Sequence, residues 1–421
     1  MFQGLKFSFL CKVSFLFVFF FNFSLPVSAE THYVNVDGNT DVTQSALGAS
    51  SDLSHNLIGG GTWDSFFTNE INVHYNQSAL NSVGVLEVST NTLTIKNGVF
   101  KIDGDAAGAL VTLYNSNTNP NLPINADNFS LHLQYNKLNL TGGLDVSSQG
   151  YLYGAILQTA DSPAGNSFVI NNELNVNTDS YNGASVTLTG GLTVVNMLNR
   201  NFDTNGIVQK NQVTVNVTGG SASDSSLVNS DIYGGRLVTN IGYYKPNSNY
   251  TVTGSVEDNK ITLTNGTFSG MITAGEAALY NAVYGHSQHA ALNGVLDGNT
   301  VQIDGGTYDG AVIIGGRVAL VGATNGFEEN STMSITNNQV LINGGTFENA
   351  LIIACAATYD YTNQIMTGAI SNNQITVSGT PTLSGATLLG GYSNNANPLS
   401  GNTLTMLTKG VTAFGVDGFN K

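Results

Sequence analysis

Side chains suited to chemistry are few in this sequence and widely spaced. His286 and His289 stand three residues apart and follow Glu276 in the chain, a set from which a divalent-metal site could be drawn. Both histidines fall in a long stretch between strand-like segments, where solvated imidazoles are the plainer reading. Asn39-Thr40-Asp41 and Asn177-Thr178-Asp179 carry carboxylates of the kind that cleave glycans, a reaction that needs two or three acids converging on one face. The Asp-Asp, Gly-His-Gly and Arg-Ile-Lys elements that accompany such a triplet in pectin-cleaving sites are missing, so both triplets read as polar turns. No Gly-x-Ser-x-Gly or Gly-Asp-Ser-Gly turn presents a serine nucleophile, and no Gly-Gly-x-Gly-x-Asp repeat is present to bind calcium. The sequence therefore predicts no catalytic residue, no metal and no cofactor.

Composition agrees with that reading. Of 421 residues only 10% are charged, with 49 glycines and 53 asparagines. A chain so poor in charge must cover its surface with Asn, Thr, Ser and Gly. Lys and Arg number 13 against 28 acids, and nucleic acid is excluded as a partner because phosphate binding needs a basic face.

Residues 1–29 have the three parts of a secretory signal: Lys6 and Lys12, an apolar run from Val13 to Phe21, and the small-residue site Val27-Ser28-Ala29. Cleavage there leaves Glu30 at the start and removes Cys11. Cys355 then has no partner for an internal disulfide and is expected to pack as a small apolar group.

The elements that must position any site repeat. Asn211-Gln212-Val213-Thr214-Val215, Asn259-Lys260-Ile261-Thr262-Leu263, Asn299-Thr300-Val301-Gln302-Ile303, Asn338-Gln339-Val340-Leu341-Ile342, Asn373-Gln374-Ile375-Thr376-Val377 and Asn402-Thr403-Leu404-Thr405-Met406 share one pattern. Each opens on Asn and then alternates polar and aliphatic residues, the mark of a strand with one buried face. Their starts are 48, 40, 39, 35 and 29 residues apart, so a fixed core alternates with connections of varying length. A second half follows, as in Gly306-Thr307-Tyr308 leading to Ile313-Ile314-Gly315-Gly316-Arg317, echoed by Ile232-Tyr233-Gly234-Gly235-Arg236. The Gly pairs are expected to supply the positive φ angles and the close backbone approach of a chain turning a corner.

Short strands, glycine corners and no helical periodicity predict an all-β, right-handed parallel β-helix, a β-solenoid with variable loops between coils. The leading Asn of successive copies should stack, amide on amide, along the axis. At ~4.8 Å per layer the rod should be on the order of 40 to 95 Å long. Residues 30–200 are expected to form a degenerate amino-terminal part of this solenoid and 201–421 its regular part, with only two or three strands per unit against the four of a propeller blade.

The repeats resemble the passenger regions of bacterial autotransporters, adhesin-like proteins of Gram-negative cells. Gly298-Asn299-Thr300-Val301-Gln302-Ile303-Asp304-Gly305-Gly306-Thr307-Tyr308 carries the likeness best, and Gly401-Asn402-Thr403-Leu404 repeats its opening. The resemblance covers roughly residues 200–421. It implies export to the cell surface or outside the cell, with membrane attachment only through a translocating β-barrel that this sequence does not include. A truncated frame, a separately encoded barrel and free secretion all fit.

The expected function is that of a non-enzymatic adhesive or structural passenger. Its expected partners are host-cell or matrix surface molecules or glycans, met by the loops Tyr243–Tyr250, Leu279–Leu292 and Thr358–Thr367, whose tyrosines give contact area at low entropic cost. The alternative is a secreted β-helix polysaccharide hydrolase or lyase with an unfamiliar carboxylate site.

Overall fold

The computed structural model describes residues 85–102, 106–115, 130–148, 151–160, 166–182, 187–197, 203–218, 226–227, 230–242, 250–281, 290–322, 330–359, 366–394 and 398–419, with four short strands before residue 85. The expected signal segment 1–29, Cys11 within it and the triplet Asn39–Asp41 lie outside the described residues.

One coil gives the pattern. Tyr250–Glu257 runs along a first wall, Asp258 and Asn259 turn a corner, Lys260–Asn265 forms a second wall, Thr267–Phe268 a short third and Met271–Asn281 a long fourth. The chain then returns to the first wall one layer on, where Tyr250 pairs with Ala290 and Glu257 with Asp297. Lys260 likewise pairs with Thr300, Phe268 with Tyr308 and Met271 with Val312. Repetition of these ladders makes an all-β parallel solenoid. Among the described residues the one antiparallel pairing joins His55–Ile58 to Thr62–Phe67.

All six Asn-led segments fall on the second wall, in register, with each Asn at the corner just before its strand. The same ladder continues upstream through Glu173, Lys137 and Thr92, so Asn172, Asn136 and Asn91 belong to it as well. Nine asparagines thus stand in one column, and each of the first eight donates its Nδ2 to the Oδ1 of the next at 2.7–3.1 Å. At ~4.8 Å per layer, the eight steps between them span about 38 Å. Layers of 29 to 48 residues put the rod at the short end of the expected range.

The corner has a backbone reason. The residue before each ladder Asn has positive φ in all nine coils, from Thr90 at 61° and Asp258 at 54° to Gly298 and Gly401 at 67°. One left-handed residue reverses the chain and drops the next side chain inside. There the amide is fully used: Asn259 Nδ2 donates to Asn299 Oδ1 at 2.9 Å and to the Val208 carbonyl at 3.0 Å, while its Oδ1 accepts from the N–H and Nδ2 of Asn211, each at 3.0 Å. A buried amide with every hydrogen bond made costs little, whereas an unpaired one costs ~1–3 kcal/mol.

The amide column divides the interior in two. On one side Val213, Ile261, Val301, Val340 and Ile375 of the second wall pack with Ile232, Ile272, Ile313 and Ile352 of the fourth. The same compartment holds a stack of Phe268, Tyr308 and Phe347, with ring centroids 5.0 and 4.7 Å apart. On the other side Val208, Val256, Leu296 and Ile335 of the first wall meet Leu237, Ala277 and Val318.

The Gly pairs 190–191, 234–235 and 315–316 lie within the long fourth-wall strands, not at the corners where the sequence reading put them. The glycines with positive φ at corners are others, Gly266, Gly306 and Gly345. What the pairs provide is closeness: a Cβ on Gly191 would lie 2.5 Å from the Asn211 amide carbon and oxygen, and one on Gly316 would lie 2.6 Å from that of Asn338.

Candidate functional site

The densest charge among the described residues lies on the fourth wall, on the side turned away from both interior compartments. One column there reads Leu192, Arg236, Glu276, Arg317 and Ala356 in successive coils. Strand pairing holds these side chains in neighbouring layers, and the alternation of sign along the column does the rest. Arg236 Nε donates to Glu276 Oε1 at 2.6 Å, and Arg317 Nη1 donates to Oε2 at 2.9 Å. Arg236 also donates from Nη2 to the Tyr280 hydroxyl at 3.3 Å and lies 4.3 Å over the Tyr233 ring.

Glu276 is 0% exposed, while the two arginine side chains are 20% and 18% exposed. Burial, the largest single influence on Arg236, works against its charge, but the Glu276 carboxylate and the Tyr233 and Tyr280 hydroxyls together outweigh it and hold the guanidinium more firmly protonated than usual. Burial first, then the same carboxylate, pushes the Tyr233 and Tyr280 hydroxyls up. Both carboxylate oxygens of Glu276 are thus taken by guanidinium donors from the neighbouring coils. The cluster acts as an ionic clamp across three coils.

Glu276 is therefore a clamped strand residue and not the loop-edge ligand that could have joined His286 and His289, which lie outside the described residues. Among the described residues no three His, Cys, Asp or Glu side chains are grouped to hold a metal ion. Asn177 and Asp179 belong to the strand Glu173–Asn182, a correction to the turn expected there. Asn177 Oδ1 accepts from Asn216 Nδ2 at 2.8 Å and Asp179 Oδ1 from the Thr218 hydroxyl at 3.3 Å, so both serve surface ladders between coils. Other acids are spent the same way. Asp304 Oδ1 accepts from Asn343 and Gln302, and Asp231 Oδ1 from the Met271 N–H at 3.0 Å.

Cys355 takes the place of the second glycine of the pair, opposite Gly316, and is completely buried. Burial pushes its thiol up to about 12. Of the three loops named as contact surfaces, 243–249, 282–289 and 360–365 lie outside the described residues. Their margins do not: Tyr250, Leu279 and Leu292 are strand residues packed in the interior, which removes them from any contact surface.

The clamp was the feature overlooked in the sequence. Its signal was available once Arg236 and Arg317 were aligned after their Gly pairs, since Glu276 follows Gly275 at the same position in the copy between them. No helix among the described residues is long and apolar enough to cross a membrane. No family model, no curated protein and no solved structure matches this chain.

Proposed function

We propose that this chain is an exported β-solenoid that works at the cell surface as a non-enzymatic adhesive or structural passenger of autotransporter type, led out by the signal at residues 1–29. One observation carries the reading. The chain leaves the fourth wall at Met197, Ile241, Asn281, Val321 and Tyr359 and re-enters the first at Thr204, Tyr250, Ala290, Ser331 and Met366. The anchors of these five connections therefore lie at the same corner in successive coils and follow one another along one edge of the rod, while a further insertion, between Val217 and Ser226, stands at the corner between the second and third walls. A rigid scaffold with a row of variable segments suits contact with an extended surface, such as host-cell or matrix molecules or their glycans. The buried ladders supply the stiffness.

Replacing residues 243–249, 282–289 and 360–365 by short Gly-Ser links tests this. Binding to cultured cells and to matrix proteins should fall to background while the β-sheet circular dichroism is kept. Undiminished binding would remove the loops from the role. Release of reducing ends or unsaturated sugars from a panel of acidic and neutral polysaccharides would replace the reading with that of a β-helix hydrolase or lyase.

A further inference from the structure

Asparagine followed by glycine is the pair in which a backbone nitrogen most easily attacks a side-chain amide, because glycine carries no Cβ to hinder it. Four such pairs have described side chains: Asn205-Gly206, Asn265-Gly266, Asn293-Gly294 and Asn343-Gly344. The fold treats them differently.

Asn205 and Asn293 lie inside strands of the first wall. Gly206 is paired with Ser167 on one side and Gly254 on the other, and Gly294 with Gly254 and Met333. Ladders on both sides fix the dihedral angle that must turn before the glycine nitrogen can reach the asparagine Cγ. Asn205 Nδ2 is also tied to Asn166 Oδ1 at 2.9 Å, and Asn293 Oδ1 accepts from the Thr332 N–H at 2.8 Å. Asn343 stands exposed just after the second wall, but its amide is held at both ends. Its Nδ2 donates to Asp304 Oδ1 at 2.7 Å and its Oδ1 accepts from the Ser378 hydroxyl at 2.6 Å.

Asn265 is the least restrained of the four. It is exposed, ends its strand and is paired on one side alone, with Asn216. A single bond holds its amide, from Nδ2 to Asn216 Oδ1 at 2.8 Å, and no described group donates to its Oδ1. The Gly266 carbonyl accepts from the Thr307 N–H at 2.8 Å, while the Gly266 N–H has no acceptor among the described residues.

We propose that Asn265-Gly266 is a modification site at which the folded chain deamidates ahead of the other three pairs. The Gly266 nitrogen, its proton taken by base, attacks Asn265 Cγ. The N–Cγ bond forms, the Cγ–Nδ2 bond breaks, and the amide leaves as ammonia with that proton. Water then opens the succinimide ring at either carbonyl to give aspartate or isoaspartate, so the net change is water in and ammonia out. The product takes the donor away from Asn216 Oδ1, and its isoaspartyl form lengthens the main chain by one carbon between the second and third walls.

Prolonged incubation of the folded full chain at mildly alkaline pH, followed by peptide mapping with mass spectrometry, tests this. The Asn265 peptide should exchange NH2 for OH about tenfold faster or more than those of Asn205, Asn293 and Asn343, since each of these must break a further restraint first. In denaturant the four should react at similar rates. Ser378→Ala, which frees Asn343 Oδ1 at an exposed position, should raise the rate at Asn343 in the folded chain. Reaction at Asn265 no faster than at the other three overturns the proposal, as does a lead of Asn265 that persists undiminished in denaturant. An unchanged rate at Asn343 in the Ser378→Ala chain overturns it as well.

Discussion

Gly191 and Asn211 share one space: the site where a Cβ on Gly191 would stand is already taken, 2.5 Å away, by the carbon and oxygen of the Asn211 amide. The column to which Gly191 belongs holds Ala109 and Ala155 on one side and Gly235 on the other, so its members stay small throughout. Gly191→Ala should cost about 1–3 kcal/mol through overpacking. Denaturant titration would read it as a lower midpoint with an unchanged slope. Gly310→Ala is the control, since its Cβ would meet nothing within 4 Å and only its φ of +68° resists. A left-handed position costs an L-residue roughly 1–2 kcal/mol.

The amide column makes a second prediction, which depends on position. Asn299→Ala, in mid-column, strips the acceptor from the Asn259 N–H and Nδ2 and a donor from Asn338 Oδ1. Leaving such groups buried and unpaired should cost about 2–4 kcal/mol. Asn402→Ala strips the same pair from Asn373 but also removes an amide nitrogen that is already unpaired. Its cost should be smaller by about 1 kcal/mol or more. Equal losses of stability in the two variants would mean that the column is not held by its amides.

Much of this fold was legible because its repeat is written in residue types. The Asn and the alternation after it mark the corner and the second wall, since a buried amide column tolerates no other side chain and a two-residue period admits only a strand. Asn91-Thr92-Leu93-Thr94-Ile95 shows the same alternation in the amino-terminal part, and Asn136 and Asn172, which open the same pattern, join it only once the ladder is seen; the residues before these three, Thr90, Tyr135 and Asn171, are no more fixed in type than Lys210 or Asp258 of the later coils. The left-handed corner can be held by many residues once the layers stack, so its identity carries little information. The close approach at the Gly pairs was legible, but not what approaches them. Local sequence shows that a side chain is missing there, but only the neighbouring coil shows that an amide has taken its place. The clamp on Glu276 is likewise spread over three coils.

That clamp predicts an asymmetry between single and triple replacement. Glu276→Ala leaves Arg236 and Arg317 facing one another across a buried site without the carboxylate, and should cost about 3–5 kcal/mol. The neighbours in the same column, Leu192 and Ala356, show that apolar residues fit it. The triple variant Arg236→Leu/Glu276→Ala/Arg317→Ala should therefore recover most of the loss, because an ion triad often contributes no more than the apolar packing that replaces it. Thermal melts of the two variants check this; a triple variant as unstable as the single would assign the ions a net stabilising role.

Cys355 makes the prediction that depends on pH. Its thiol is pushed up to about 12 by burial, while thiols of unfolded chains ionise near ~8.5. A group whose folded value is the higher one favours the folded state fully below the unfolded value, and that contribution is lost as pH rises from there through the folded value. The stability of the solenoid should accordingly fall between about pH 8.5 and 12. Cys355→Ala should flatten that part of the profile, since alanine does not ionise and already follows Cys355 in the strand at positions 356 and 357. Iodoacetamide at mildly alkaline pH should leave Cys355 unmodified in the folded chain and label it once denaturant has opened the stack, because only the thiolate reacts and only an opened coil admits the reagent. Labelling at the same rate with and without denaturant would mean that the thiol is not held in the interior.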